Sequence, residues 1–134
     1  MSKQSTPQAW TSPLALTLAE TSDMTVLHPV TNAPLLRPDG AAQTVTLAGI
    51  DSPQFRRVLA ERQAAALASE DEAEDDLRLE LAVGCTLAWT VVGDTGEDLP
   101  CTPEAVREMY QRCGWLLRQA DRYMADRQQY LGEG

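Results

Sequence analysis

Leu14, Leu16 and Leu18 alternate with Ala15, Thr17 and Ala19. This period-two pattern predicts a short strand over 14–19. Apolar residues dominate again from Met24 to Val30, a second strand candidate. Thr31, Asn32, Ala33 and Pro34 read as a turn, after which Leu35 and Leu36 continue as the returning strand. Pro38, Asp39 and Gly40 make the next turn. Between Gln43 and Ile50, Val45 and Leu47 fall on one face and Thr44 and Thr46 on the other. Loops this short favour antiparallel neighbours, so residues 14–50 predict a small antiparallel meander.

The period then changes. Asp51, Ser52 and Pro53 carry a helix start, a capping side chain followed by proline in the first turn. Phe55, Val58 and Leu59 lie on one face of the helix that follows. Six carboxylates sit among residues 70–76. They read as a solvated linker that caps the next helix, with an acidic docking patch as the alternative. From about Asp75 to Val92 the pattern is polar and then apolar nearly all round, which predicts a central helix. Gly84 offers a place for a neighbour to approach. Thr102, Pro103 and Glu104 open another helix, where Val106, Met109, Tyr110 and Cys113 recur at i, i+3, i+4 and i+7. Gly114 breaks that pattern, and a last helix carries Leu117, Ala120, Met124 and Leu131 on one side.

These elements predict an α+β fold, a small N-terminal antiparallel β meander followed by a C-terminal bundle of about four helices. Residues 1–13 read as a flexible N-terminus. Residues 14–134 read as a single domain, β over 14–50 and helical over 51–134. A chain of 134 residues is long enough for one packed core.

Charge narrows the partners. The formal net charge is −9, which repels nucleic acid and anionic membrane surfaces. The stretch Leu81–Gly93 is well short of the roughly 20 apolar residues a spanning helix needs. No apolar signal core follows the polar start, so a cytosolic protein is expected. Cys85, Cys101 and Cys113 are an odd, widely spaced set that reads as reduced thiols rather than a disulfide framework or zinc site. The single histidine, His28, has no Cys or Ser beside it to activate. No phosphate-binding or dinucleotide-binding glycine motif is present. The expectation is a binding protein, not an enzyme, with no catalytic residues, metal or cofactor.

Several segments resemble the tail assembly chaperones of long-tailed phages. They are Leu99-Pro100-Cys101-Thr102-Pro103-Glu104-Ala105-Val106-Arg107-Glu108-Met109-Tyr110, then Gly114-Trp115-Leu116-Leu117-Arg118-Gln119-Ala120-Asp121, then Met124-Ala125-Asp126-Arg127 and Tyr130-Leu131. Leu27-His28-Pro29-Val30-Thr31 and the segment Val45–Ser52 are similar too. Gly114 departs from the pattern, which has a proline before the Trp. The resemblance implies a chaperone that binds the tape measure protein, keeps it soluble and helps recruit tail tube subunits. It also implies work in the host cytoplasm, absence from the finished particle, and a short form beside a longer, frameshifted product. The alternatives are an acidic inhibitor that mimics DNA and a minor structural tail component.

A chaperone for a long helical client is expected to self-associate, because several copies cover more apolar segments than one. The predicted strand over 14–19 offers an edge for this. The client surface is expected on the last two helices, around Trp115, Leu116, Tyr123, Arg127 and Tyr130. Tyr123 and Tyr130 are seven residues apart, two turns along one face, and such a row can accept an amphipathic helix. The alternative is that a neighbouring strand or another copy covers the row.

Overall fold

The alternation over 43–50 gives the central element of the molecule. A computed structural model describes residues 10–68 and 74–131. Within it, strand β2 (Thr44–Ala48) lies between β1 (Thr21–Thr25) and β3 (Thr86–Trp89), and both neighbours run antiparallel to it. Val45 and Leu47 are fully buried, as their shared face predicts. Four helices complete the described fold: α1 (Pro53–Ala68), α2 (Glu74–Cys85), α3 (Pro103–Arg112) and α4 (Gly114–Ala125). The architecture is therefore α+β, an antiparallel sheet with four helices.

Two strands were expected elsewhere. Residues 14–19 do not form one. Pro13 opens a 3-10 turn over Pro13–Leu16, and the Ser12 hydroxyl accepts the Leu14 N–H at 3.1 Å. A local cap of this kind competes directly with sheet pairing. Leu14 and Leu16 stay exposed, and Leu18 alone bridges, to Leu131. The strand placed at 24–30 begins earlier, at Thr21. Beyond Thr25 the chain keeps single bridges, Leu27 with Pro34 and Leu36 with Ala42. The turn between them is tied by His28, whose Nδ1 accepts the N–H groups of Val30 at 3.0 Å and Thr31 at 3.2 Å.

The third strand comes from the part expected to be helical. The helix predicted over 75–92 ends at Cys85, and β3 follows at once. Thr86, Trp89, Thr90, Val91 and Val92 are β-branched or aromatic, and β2 has a second edge that only this segment reaches. The pairing shifts between Thr46 and Leu47, which leaves Leu87 as the extra residue of a β-bulge. Leu87 is accordingly 45% exposed, and the centre of the core is β2, not the helix before it.

The helix starts behave as predicted. The Ser52 hydroxyl accepts the Phe55 N–H at 3.1 Å and donates to the Gly49 carbonyl at 2.7 Å. Thr102 accepts the Ala105 N–H, with Pro103 in the first turn. Gly84 is the point where α1 meets α2: a Cβ there would lie 2.7 Å from Val58 Cγ1. Gln54 also donates across this contact to the Gly84 carbonyl at 2.9 Å. Of the acidic run at 70–76, residues 70–73 lie outside the described part, and α2 begins at Glu74.

Candidate functional site

Helix α3 and the start of α4 form one wall of a cleft of about 490 Å³. Val106 and Tyr110 are the buried side of α3. Tyr110 reaches Thr86 Oγ1 at 2.8 Å, and that hydroxyl donates its own proton to the Ala82 carbonyl at 2.7 Å. Tyr110 is therefore the donor, and this bond fixes α3 against the α2–β3 junction. With that side fixed, Met109 and Cys113 face the cleft, followed by Trp115 and Leu116 across the break between the helices.

The break has a local cause. Cys113 adopts φ −118°, ψ 73°, outside the helical region, and its N–H closes α3 on the Met109 carbonyl at 2.8 Å. The Leu116 N–H then restarts the chain on the Cys113 carbonyl at 2.9 Å.

The opposite wall is built from segments distant in sequence. Val26 and Leu35 come from the hairpin after β1, and Val91 and Leu99 from the loop after β3. Trp89 holds that loop in place by donating Nε1–H to the Leu99 carbonyl at 2.9 Å. Gln43 joins the two segments, donating to Leu36 O at 3.2 Å and accepting from Val92 N at 3.1 Å. Asp94, Glu97 and Glu108 bring carboxylates to the cleft, with Arg112 the cation among them. The Glu97 carboxyl is held below its ordinary pKa, first by the Thr95 hydroxyl at 2.6 Å. An apolar interior with an acidic mouth suits apolar side chains carried on a neutral or basic segment.

The five residues expected to form the client row are separated by the fold. Trp115 and Leu116 border the cleft, although Leu116 is 2% exposed and belongs mostly to the core. Leu116, Ala120 and Met124 make the buried stripe of α4, whereas Leu117, placed in that stripe from the sequence, is only partly buried. Tyr130 is also a core residue, 3% exposed, with its ring against Gly49 and its hydroxyl donating to Leu47 O at 3.2 Å. Tyr123 contacts it edge-on at 5.8 Å and bonds Ser22 Oγ at 2.7 Å. Arg127 pairs with both carboxylate oxygens of Asp51, at 2.7 and 3.2 Å. The helix assumed to carry the row ends at Ala125, because the Asp126 side chain accepts the Gln128 N–H and starts a 3-10 turn over Arg127–Tyr130. Tyr123 and Tyr130 thus bond to β1 and β2, while Arg127 stays exposed beside Asp51.

Sequence reading placed Val26 and Leu35 in a hairpin and Val91 in a helix, and missed that they meet Leu99 as the far wall. Periodicity reports which face of an element is apolar, and these residues lie in loops and turns that have no period. The one available signal was the β-branched run after Gly84.

The thiols are free, and Cys85 is buried, with its pKa pushed up from 9.0 to about 11 by burial. Among the described residues, no three His, Cys, Asp or Glu side chains gather as metal ligands. No helix among them is long and apolar enough to cross a membrane. Compared with models of protein families, with curated proteins and with solved structures, the chain has no match.

Proposed function

We propose that the chain is a tail assembly chaperone of a long-tailed phage, which binds the tape measure protein and keeps it soluble in the host cytoplasm until tail tube subunits are recruited around it. The observation that carries this reading is where the resembling segments fall. Leu99–Tyr110 and Gly114–Asp121 supply α3, α4 and the loop before them, and so most of one side of the apolar cleft. The reading moves the client surface from the row at Tyr123 and Tyr130 to this cleft, with Met109, Leu99 and Trp115 as the contacts. The client's part is an amphipathic helix laid with its apolar side inward, a recurring mode of peptide recognition.

Co-expression with the tape measure protein of the same phage tests it. The parent chain is expected to hold the client in the soluble fraction, and Met109→Asp, once shown by circular dichroism to fold, to lose most of that effect. Leu87→Ser, on the exposed bulge of β3, serves as the control and is expected to behave as the parent. A client that aggregates equally with and without the parent chain would refute the chaperone reading. Mass spectrometry of purified particles separates it from a structural tail component, which would be found in them.

A further inference from the structure

The cleft is apolar inside and unevenly charged at its mouth. On the α3 side Glu108 and Arg112 lie one turn apart and pair with each other at 3.6 Å, so that wall is close to neutral. On the other side Asp94 and Glu97 belong to the loop after β3, both exposed and both lining the cleft. Among the described residues no cation pairs with either of them. Arg37, which reaches the same loop, is taken up by Asp98 at 2.7 Å and by Asp39 at 3.6 Å.

The loop holds its two free carboxylates in place. The Gly93 N–H donates to the Glu97 carbonyl at 2.8 Å and the Gly96 N–H to the Gly93 carbonyl at 2.9 Å, which closes residues 93–97 into a turn. The Glu97 carboxylate accepts the Thr95 N–H at 3.1 Å and the Thr95 hydroxyl proton at 2.6 Å. Both donors are neutral, so they fix the side chain without cancelling its charge. One lip of an apolar cleft is thus a fixed negative edge, and the other is not.

We propose that the cleft selects, among amphipathic helices, those that carry Lys or Arg along the flank facing the 93–97 loop, beside the apolar side chains that enter against Met109 and Leu99. The inference rests on the cleft as the client site, and adds which helices it takes and which way round they lie. A helix laid apolar side down has two flanks, and reversing its direction exchanges them. A helix that is basic along one flank meets Asp94 and Glu97 in one direction only, so the asymmetry of the mouth sets the polarity of the bound chain. Exposed ion pairs are individually weak, so the preference expected from two carboxylates is about tenfold between a basic and an acidic flank at low salt.

Three synthetic helical peptides test this, with one apolar pattern, Leu at i, i+3, i+4 and i+7, and with Lys, Gln or Glu along one flank. Fluorescence anisotropy of each labelled peptide against the full chain reads the affinity. The parent is expected to bind them in the order Lys, Gln, Glu, and the spread to close as salt is raised to about 1 M. Asp94→Asn with Glu97→Gln, whose amide oxygen can still accept from Thr95, is expected to cut the preference to about threefold or less and to leave the affinity for the Gln peptide unchanged. Glu20→Gln with Glu61→Gln removes the same charge from exposed positions outside the cleft, and is expected to keep the full preference. That control separates the lip from the net charge of −9. If the control pair loses the preference as the lip pair does, the whole-molecule charge is its source and the proposal is overturned. Equal affinity for all three peptides also overturns it, while leaving the cleft as a client site. If none of the three binds, the selection and the client cleft fall together.

Discussion

At Gly84 the room for a side chain is already taken. A Cβ there would meet both Val58 methyl groups, at 2.7 and 2.9 Å. In an exposed helix, Gly→Ala gains roughly 0.5–1 kcal/mol. Here the gain is opposed by overpacking, typically about 1–3 kcal/mol, and Val58 is a buried, β-branched side chain with little freedom to move aside. Gly84→Ala is expected to destabilise by about 1–2 kcal/mol. Val58→Ala leaves a cavity and also destabilises. Combined, they are expected to cost less than the sum of the two, because each relieves the defect of the other. Urea unfolding of the four proteins in this cycle measures the coupling, and strict additivity would mean that the two helices do not touch there.

The start of α4 shows how an element can be built with a residue its position does not require. Gly114 has no positive φ, and a Cβ there meets only Arg118 Nη1, at 3.7 Å. It occupies the first position of the helix, where proline is favoured, and Cys113 before it lies outside the helical region, as a residue preceding proline should. Gly114→Pro is therefore expected to raise stability by roughly 0.4–1 kcal/mol through the unfolded state, read as a higher urea midpoint with unchanged slope. Glycine is then tolerated here, at a position whose backbone suits proline.

Helix starts of this kind were legible in the sequence because a cap is local: Ser52-Pro53 and Thr102-Pro103 need only their own neighbours. The Gly84 contact and the β2 strand were legible for similar reasons, a missing side chain and a clean alternation. The strand β3 was not. An apolar run reads as a buried helix or a buried strand alike, and what decided between them was the free edge of β2, some forty residues earlier. The strand at 14–19 failed the other way, since the Ser12 cap and Pro13 wind its first residues into a 3-10 turn that overrides a period of two. Of the candidate site, Trp115 and its helix could be found from the sequence. Tyr130 could not be recognised as core, because its partners Leu47 and Gly49 lie more than eighty positions away.

On the scale of the whole molecule, titration sets the limits of stability from both sides. The Arg107 guanidinium grips Glu80 with two bonds, at 2.9 and 2.7 Å, and holds its carboxyl below the ordinary 4.5. A depressed carboxylate stabilises the fold above its unfolded pKa, and that contribution is lost as pH falls from there. Burial raises Cys85 to about 11 and Tyr110 to about 12. Groups raised in this way stabilise below their unfolded values, 9.0 and 10.0, and lose that contribution as pH rises beyond them. Urea midpoints are expected to be level between about pH 5 and pH 9 and to fall on either side. Glu80→Gln is expected to cost about 1 kcal/mol at neutral pH and to converge with the parent below about pH 4. A difference that persists unchanged into acid would show that the ion pair is not its source.

The sheet is threaded so that its middle strand is made early and enclosed late. β2 ends at residue 48, yet its second neighbour is not synthesised until residue 89, and the ring that closes on it belongs to residue 130. The cleft is assembled on the same schedule, from walls that begin at Val26 and end at Leu116. On the ribosome, no nascent fragment that stops short of Leu116 contains both of its sides complete. Whatever this surface binds, it is unavailable until α3 and the start of α4 have been made, and it comes into existence only when those helices arrive.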